Sequence, residues 1–316
     1  MLIKPLLTLG ASSGRHARLS TLIFHRVLPA EDALFPDEVH AARFDAICGW
    51  LREWFNVLPL DEAAVRLSQG TLPARALALT FDDGYADNRG IAAPILQRHD
   101  LPCTFFVATG YLDGGRMWND TVIEAIRHTR LATLDLRGLH AQLGPLELPD
   151  LPSRRRAIDA VIKVAKYLPV QERQALVDAV ANRAEVVPPV DLMMSSAQVR
   201  EMRAMGMQIG AHTVSHPILA RLSRTEARAE IEGSKQSLES MLGEAVSLFA
   251  YPNGKPGEDY SPESVELVRE AGFATAVSTT WGVSTRQTDR HQLLRFTPWD
   301  RGRLGFGLRL WRNMMA

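Results

Sequence analysis

Short apolar runs alternate with amphipathic stretches along most of the chain. The runs at residues 22–25, 76–81, 103–108, 208–211, 248–251 and 275–278 predict short buried strands. Between them the apolar period lengthens. Residues 38–55 place Phe44, Ile47, Trp50, Leu51 and Phe55 at helical spacing, and residues 224–242 do the same with Ala227, Ile231, Ser234, Leu238 and Leu242. Ser223 is the expected N-cap of that second helix and Gly243 its stop, and a helix over residues 262–270 ends in the same way at Gly272. Strand and helix in alternation predict parallel βα units and an α/β barrel.

One stretch breaks the rhythm. From Asn119 to about Val187 the chain is charge-rich and helical in pattern, with Leu/Pro turns around residues 146–152 and a break at Pro188-Pro189. It reads as a helical insertion, about residues 119–190, between two barrel strands of a single domain that spans residues 1–316. A tail begins near residue 301.

Composition narrows the function classes. The 316 residues are 46% hydrophobic and 23% charged, as in soluble globular proteins. Thirty-six basic residues balance thirty-six acidic ones, which argues against a nucleic-acid partner, since phosphate contacts need a basic excess. Cys48 and Cys103 each fall in apolar surroundings and are expected as buried thiols. No apolar run is long enough to span a membrane. The start, residues 1–10, is faintly signal-like, but it is short, contains Pro5 and lacks a small-residue cleavage site, so the expected location is the cytoplasm. The tail, residues 301–312, mixes four arginines with Leu, Phe and Trp and offers a weak peripheral contact with an anionic membrane face. Against that, Leu304, Leu308 and Trp311 at i, i+4, i+7 spacing predict docking on the barrel, and this is the favoured reading.

Two strand ends carry chemistry. Leu77-Ala78-Leu79-Thr80-Phe81 runs into Asp82-Asp83-Gly84, two adjacent carboxylates at a carboxyl end where α/β sites form. Taken alone, Asp-Asp-Gly is also an ordinary solvated turn. Adjacent buried carboxylates need a cation to offset their repulsion. The strand ending at Ala211 runs into His212-Thr213-Val214-Ser215-His216-Pro217, and two histidines four apart reach one metal when the backbone bends locally. Pro217 biases the pair towards a loop. Carboxylates from one strand end and paired histidines from another are far less coincidental than either alone.

These residues resemble the polysaccharide deacetylases of carbohydrate esterase family 4, the NodB-homology family. Residues 80–84 look like its first motif and residues 212–216 like its second, and the resemblance runs from about Leu22 to Trp299. It implies a distorted (β/α)7 barrel with a divalent metal, Zn2+ the expected ion, that hydrolyses acetamido groups of an N-acetylated glycan. By the same resemblance Asp83, His212 and His216 are the metal ligands and Asp82 the general base. The third motif corresponds to Ala250-Tyr251-Pro252-Asn253-Gly254, where the backbone N–H of Asn253 sits at the position of an oxyanion donor and Ala250 replaces the usual arginine.

The fourth and fifth motifs correspond to residues 277–282 and 293–296, without the family's Asp or His; His291 lies off the pattern. The segment Thr21-Leu22-Ile23-Phe24-His25-Arg26-Val27 resembles a branch of the family in which the first strand supplies the acid. His25 is therefore assigned as general acid, with a strand-end cap as the bland alternative. Arg295 is a candidate to replace the missing arginine beside Asp82. Tyr251, Trp118, Asn119 and Trp281 are candidate sugar contacts, although aromatics more often serve cores. His99, His128 and His140 read as surface residues. Two other functions stay open: a cytosolic amide hydrolase acting on a small substrate such as a cyclic ureide, and a glycan- or metal-binding protein with impaired catalysis.

Overall fold

The computed structural model describes residues 3–297 and 300–315. Met1 and Leu2 of the apolar start, and Trp299 at the end of the family resemblance, lie outside the described residues. Nine strands occur among the described residues: β1 (Leu19–Phe24), β2 (Asn56–Val57), β3 (Ala76–Phe81), β4 (Thr104–Val107), β5 (Thr133–Asp135), β6 (Pro145–Glu147), β7 (Gln208–Ala211), β8 (Leu248–Ala250) and β9 (Thr275–Val277). The main sheet runs β1-β3-β4-β7-β8-β9, all parallel, with β2 added beside the start of β3.

A single extended segment, residues 293–296, bridges the two ends of the sheet. Leu293 N–H donates to Ala276 O at 2.9 Å and Leu293 O accepts from Ser278 N–H at 2.8 Å, while Phe296 N–H donates to Thr21 O at 2.8 Å and Phe296 O accepts from Ile23 N–H at 3.2 Å. It supplies the seventh stave, so the sheet curls into the distorted (β/α)7 barrel expected from the sequence.

Side-chain alternation sorts the barrel into two layers. Ala76, Ala78, Phe106, Leu248, Ala250, Val277 and Leu293 form one cluster, which the helix Leu60–Gln69 joins. Leu77, Leu79, Phe81, Phe105, Val107, Ile209, Phe249 and Tyr251 belong to another, packed under the surrounding helices. Alanines at 76, 78 and 250 make room in the first set for Phe106, Leu248 and Leu293, and larger side chains dominate the second. Thr80 and Asp82 continue the parity of Ala76 and Ala78, which carries Asp82 towards the barrel axis.

The helices expected at Arg224–Leu242 and Pro262–Glu270 occur with those bounds, each opened by a capping box on Ser223 and Ser261. Gly243 ends the first with φ of 69°, a conformation that favours glycine. β1 stops short of His25 and begins three residues before the expected start, where Leu19, Ser20 and Thr21 pair with β3 and the two polar residues are buried with the leucine. The inserted segment holds the helices Trp118–His128, Leu151–Ala165 and Val170–Arg183, plus an antiparallel β5–β6 hairpin that the helical reading missed. Its apolar residues, among them Val122, Ile126, Ile158, Val161, Val177 and Val180, form a cluster separate from the barrel's.

The tail forms the helix Arg303–Met315 and buries Phe306, Leu310 and Met314 against the barrel. Leu308 and Trp311 pack beside them, whereas Leu304, expected to dock, is 62% exposed; the docking stripe lies two residues on from the one read in sequence. Three of the tail arginines are held by acids: Arg301 by Asp37 at 2.9 Å, Arg303 by Glu53 at 2.6 Å, and Arg309 by Asp300. No helix among the described residues is long and apolar enough to cross a membrane. Cys48 and Cys103 are free and buried.

Candidate active site

The site is assembled at the carboxyl ends of the parallel strands. After β3, Asp82 N–H still donates to Phe24 O at 2.9 Å, so the chain keeps its strand register for one more residue. It then turns sharply. Asp83 has φ of 77° and Gly84 of 92°, and a Cβ on Gly84 would stand 3.1 Å from Val107. After β7, Thr213 (φ 64°) and His216 (φ 50°) coil the chain so that both imidazoles return to one point. Asn253 in the turn after β8 is likewise left-handed, at 58°. Non-glycine residues adopt this conformation at a cost, and its recurrence after β3, β7 and β8 at the carboxyl end of the sheet marks a site whose surroundings enforce it.

Asp83, His212 and His216 place one ligand-type atom each within 4.8 Å of one another, and both histidine Nε2 atoms lie 3.5 Å from Asp83 Oδ1. That oxygen is buried and accepts no hydrogen bond from any described residue. Bond lengths near 2.1 Å around a tetrahedral ion put neighbouring ligand atoms about 3.4 Å apart. An orphaned buried acceptor and two imidazole nitrogens at that spacing fit a divalent cation. Burial would raise the Asp83 carboxyl, but the two imidazoles and His25 outweigh it and hold it well below the usual carboxylate range. His212 Nδ1 faces Ala250 O at 2.7 Å, which makes Nδ1 the protonated nitrogen and leaves the Nε2 lone pair free. Burial also lowers the His212 pKa, but Asp82 and Asp83 outweigh it and raise it. For His216 burial prevails, and the pKa falls to about 4, which leaves the neutral ring a metal requires.

Asp82 is 2% exposed and meets a fully buried cation. Arg295 donates from both terminal nitrogens to its two carboxylate oxygens, each at 2.7 Å. Arg295 Nε is anchored on Ser278 O at 2.8 Å. Burial works to raise the Asp82 pKa; the Arg295 charge opposes it and the net shift is downwards, so the carboxylate stays ionised. Asp82 Oδ2 stands 3.9 Å from His212 Nε2, beside the Asp83–His212–His216 cluster.

A cavity of about 470 Å3 opens over this cluster, and Asp82, Asp83, His212, His216 and Arg295 all line it. Of the other candidates, His25, Trp118, Asn119, Asn253 and Trp281 also line it. His25 is exposed at the end of β1, its carbonyl held by Asn88 Nδ2 at 2.9 Å. Trp281 is 56% exposed at the cavity mouth, its ring edge-on to Phe296. Tyr251 is elsewhere. Its ring is fully buried and stacked on Tyr260 at 3.9 Å, and its hydroxyl donates to His291 O at 3.0 Å. Tyr251 shares the parity of Phe249, which points both rings into the helix layer, so Tyr251 is a core residue and not a sugar contact.

Two residues that the sequence reading passed over hold the histidine turn. Glu230, on the helix Arg224–Leu242, accepts from the N–H groups of Val214 and Ser215 at 2.9 and 2.8 Å and from Ser215 Oγ at 2.6 Å. Arg173, from the inserted helix Val170–Arg183, donates to Ser215 O at 3.0 Å and packs its guanidinium over Trp118 at 5.0 Å. Both sit in charged helical stretches where a solvated residue looks the same in sequence. Replacing Glu230 with Ala strands two amide donors and frees the turn, so metal affinity is expected to fall about 10- to 100-fold. Titrating the variant with a competing chelator measures this; unchanged affinity would show that the turn keeps its shape without Glu230.

The polysaccharide deacetylase family model matches residues 69–140 and 158–276, more than half of the chain and the strand ends that carry both motifs. The chain belongs to the polysaccharide deacetylase family. This deacetylase-family chain is 20% identical over 281 residues to Bacillus subtilis YxkH, provisionally named a polysaccharide deacetylase, with 88% of this chain and 71% of that one covered. Its fold is shared with the Streptococcus pyogenes deacetylase PplD, solved with acetate, at TM-score 0.62 and 19% identity over 95% of this chain and 100% of that one. IcaB from Ammonifex degensii has the same fold, at TM-score 0.59 and 20% identity over 96% and 99% of the two chains.

Proposed function

We propose that this family member is a metal-dependent hydrolase that removes acetyl groups from N-acetylated sugars of a polysaccharide or glycan precursor, with zinc as its metal. The observation that carries the reading is the Asp83–His212–His216 cluster beside an ionised Asp82 inside one cavity. Asp83 Oδ1 and the two Nε2 atoms would hold the ion. When bound it would polarise the acetyl carbonyl and make a water molecule more acidic.

The chain's own groups supply the remaining steps. Asp82 is fixed by Arg295 with its oxygens facing the cluster, and as general base it takes the proton from the attacking water. Arg295 orients that carboxylate, which is the task the missing motif-three arginine leaves open. The Asn253 N–H, in the tight turn after β8, donates to the oxygen that becomes negative as the carbonyl is attacked. His25 reaches the same cavity from β1 and, as general acid, protonates the leaving nitrogen. Trp281 at the mouth offers an aromatic face to a sugar ring, and Trp118 and Asn119 line the same cavity.

Elemental analysis and acetate release test the reading together. Wild-type protein is expected to hold one divalent ion and to release acetate from N-acetylglucosamine oligomers, with no ammonia or urea from cyclic ureides. Asp83→Ala and His216→Ala proteins are expected to lose both ion and activity. Full metal retention in the two variants sinks the ligand assignment, and turnover of ureides alone would move the chain to the small-amide hydrolases.

A further inference from the structure

A second cavity, about 580 Å3 in volume, lies beside the first and shares His25, Asp83 and Asn119 with it. The turn after β1 and the helix Trp118–His128 form its walls. Glu31, Asp32, Glu38, Asp120 and Glu124 line it, against Arg26 and Arg127. Both arginines are already engaged. Arg127 is held by Asp32 at 2.7 Å and by Glu124 at 3.1 Å, and Arg26 by Asp87 at 2.8 Å, a residue outside the cavity lining.

Asp120 stands apart from the other acids. It is 3% exposed, and its Oδ2 is buried without a hydrogen-bond donor among the described residues. Burial raises the Asp120 carboxyl to about 7 against the Arg26 charge and the Tyr85 hydroxyl, and a cation arriving from outside would favour its ionised form. Acidic walls with one such oxygen favour a cationic ligand, and the shared lining sets that ligand next to the acetyl-bearing group.

We propose that this second cavity binds the ammonium group of a glucosamine residue adjoining the acetylated sugar, with Asp120 as its anionic partner. The inference rests on the deacetylase reading, because deacetylation turns a neutral acetamide into an ammonium. A glycan processed at one position then presents a cation one sugar away from the next acetyl group. Earlier product favours later reaction on the same strand, so partly deacetylated chains are the better substrates.

Calorimetric titration of the zinc-replete protein tests this without requiring turnover. A glucosamine tetramer is expected to bind roughly tenfold tighter than the N-acetylglucosamine tetramer, as one charged hydrogen bond would give. The advantage should shrink as salt rises. Asp120→Asn should abolish most of it. Glu38→Gln, at an exposed rim position where folding is safe, should weaken it. Equal or weaker binding of the glucosamine tetramer overturns the proposal, and so does an undiminished preference in both variants. A lysine tetramer that competes as well as the glucosamine tetramer assigns the cavity to cationic peptides and also overturns it. An intact ammonium preference with no acetate release from the N-acetylglucosamine tetramer would refute the activity and leave the cavity assignment standing, so the two failures are distinguishable.

Discussion

Asp82→Asn protein is expected to keep its metal and lose about 10^2- to 10^4-fold in turnover, the range that a positioned general base supplies. The change is isosteric, so the packing around a residue 2% exposed survives. The three ligand-type atoms come from Asp83, His212 and His216, and none is altered. What disappears is the acceptor for the proton, and with it one of the two bonds to Arg295, since an amide nitrogen cannot accept. Elemental analysis beside steady-state kinetics separates the two roles. Near-normal kcat would remove Asp82 as the base, and loss of the ion would make it part of the metal site.

Arg295→Met protein is expected to be destabilised by about 3–5 kcal/mol, because a single partner of a buried ion pair is removed and the other charge stays inside. For a chain of this size that is a fall in Tm on the order of 10 °C. The Asp82 carboxylate would lose both 2.7 Å bonds, and Ser278 O the 2.8 Å bond from Arg295 Nε. The double variant Arg295→Met with Asp82→Asn separates charge burial from packing, since it removes the stranded charge as well. It should recover much of the lost stability and none of the activity. Chemical denaturation of the three proteins measures the coupling. A single Arg295→Met variant as stable as wild type would mean that Asp82 is neutralised by other means.

The sequence exposed the parts of this molecule that are local and left obscure the parts that need distant partners. Residues 76–81 and 208–211 read correctly as strands because each is a short, mostly apolar stretch set between helical patterns, and the motifs following them were visible because their residues are contiguous. Ser20 and Thr21 fell outside the expected strand because their burial depends on pairing with β3, more than fifty residues away. The closing segment 293–296 is too short and too polar at Arg295 to carry a strand signal, yet Arg295 could be proposed as a partner for Asp82 because the family resemblance left the arginine of the third motif without a counterpart. Tyr251 misled because its place in a motif outweighed a simpler rule: with Phe249 two residues before it, strand parity sends both rings outwards. Arg173 and Glu230 left no signal at all, since contacts across an insertion and a helix face are invisible to local pattern.

The closing stave also bears on how the molecule comes into being. Asp83, His212 and His216 all lie within the first 216 of the 316 residues, whereas Arg295 comes much later. A ribosome therefore delivers the three proposed ligands well before the guanidinium that fixes the base, so ion capture can precede assembly of the reaction centre. Until residues 293–296 emerge, the free side of β1 has no strand to pair with, and an open edge of that kind recruits other chains. Nascent chains halted before Leu293 should hold metal but release no acetate, and they should be the length class most dependent on chaperones.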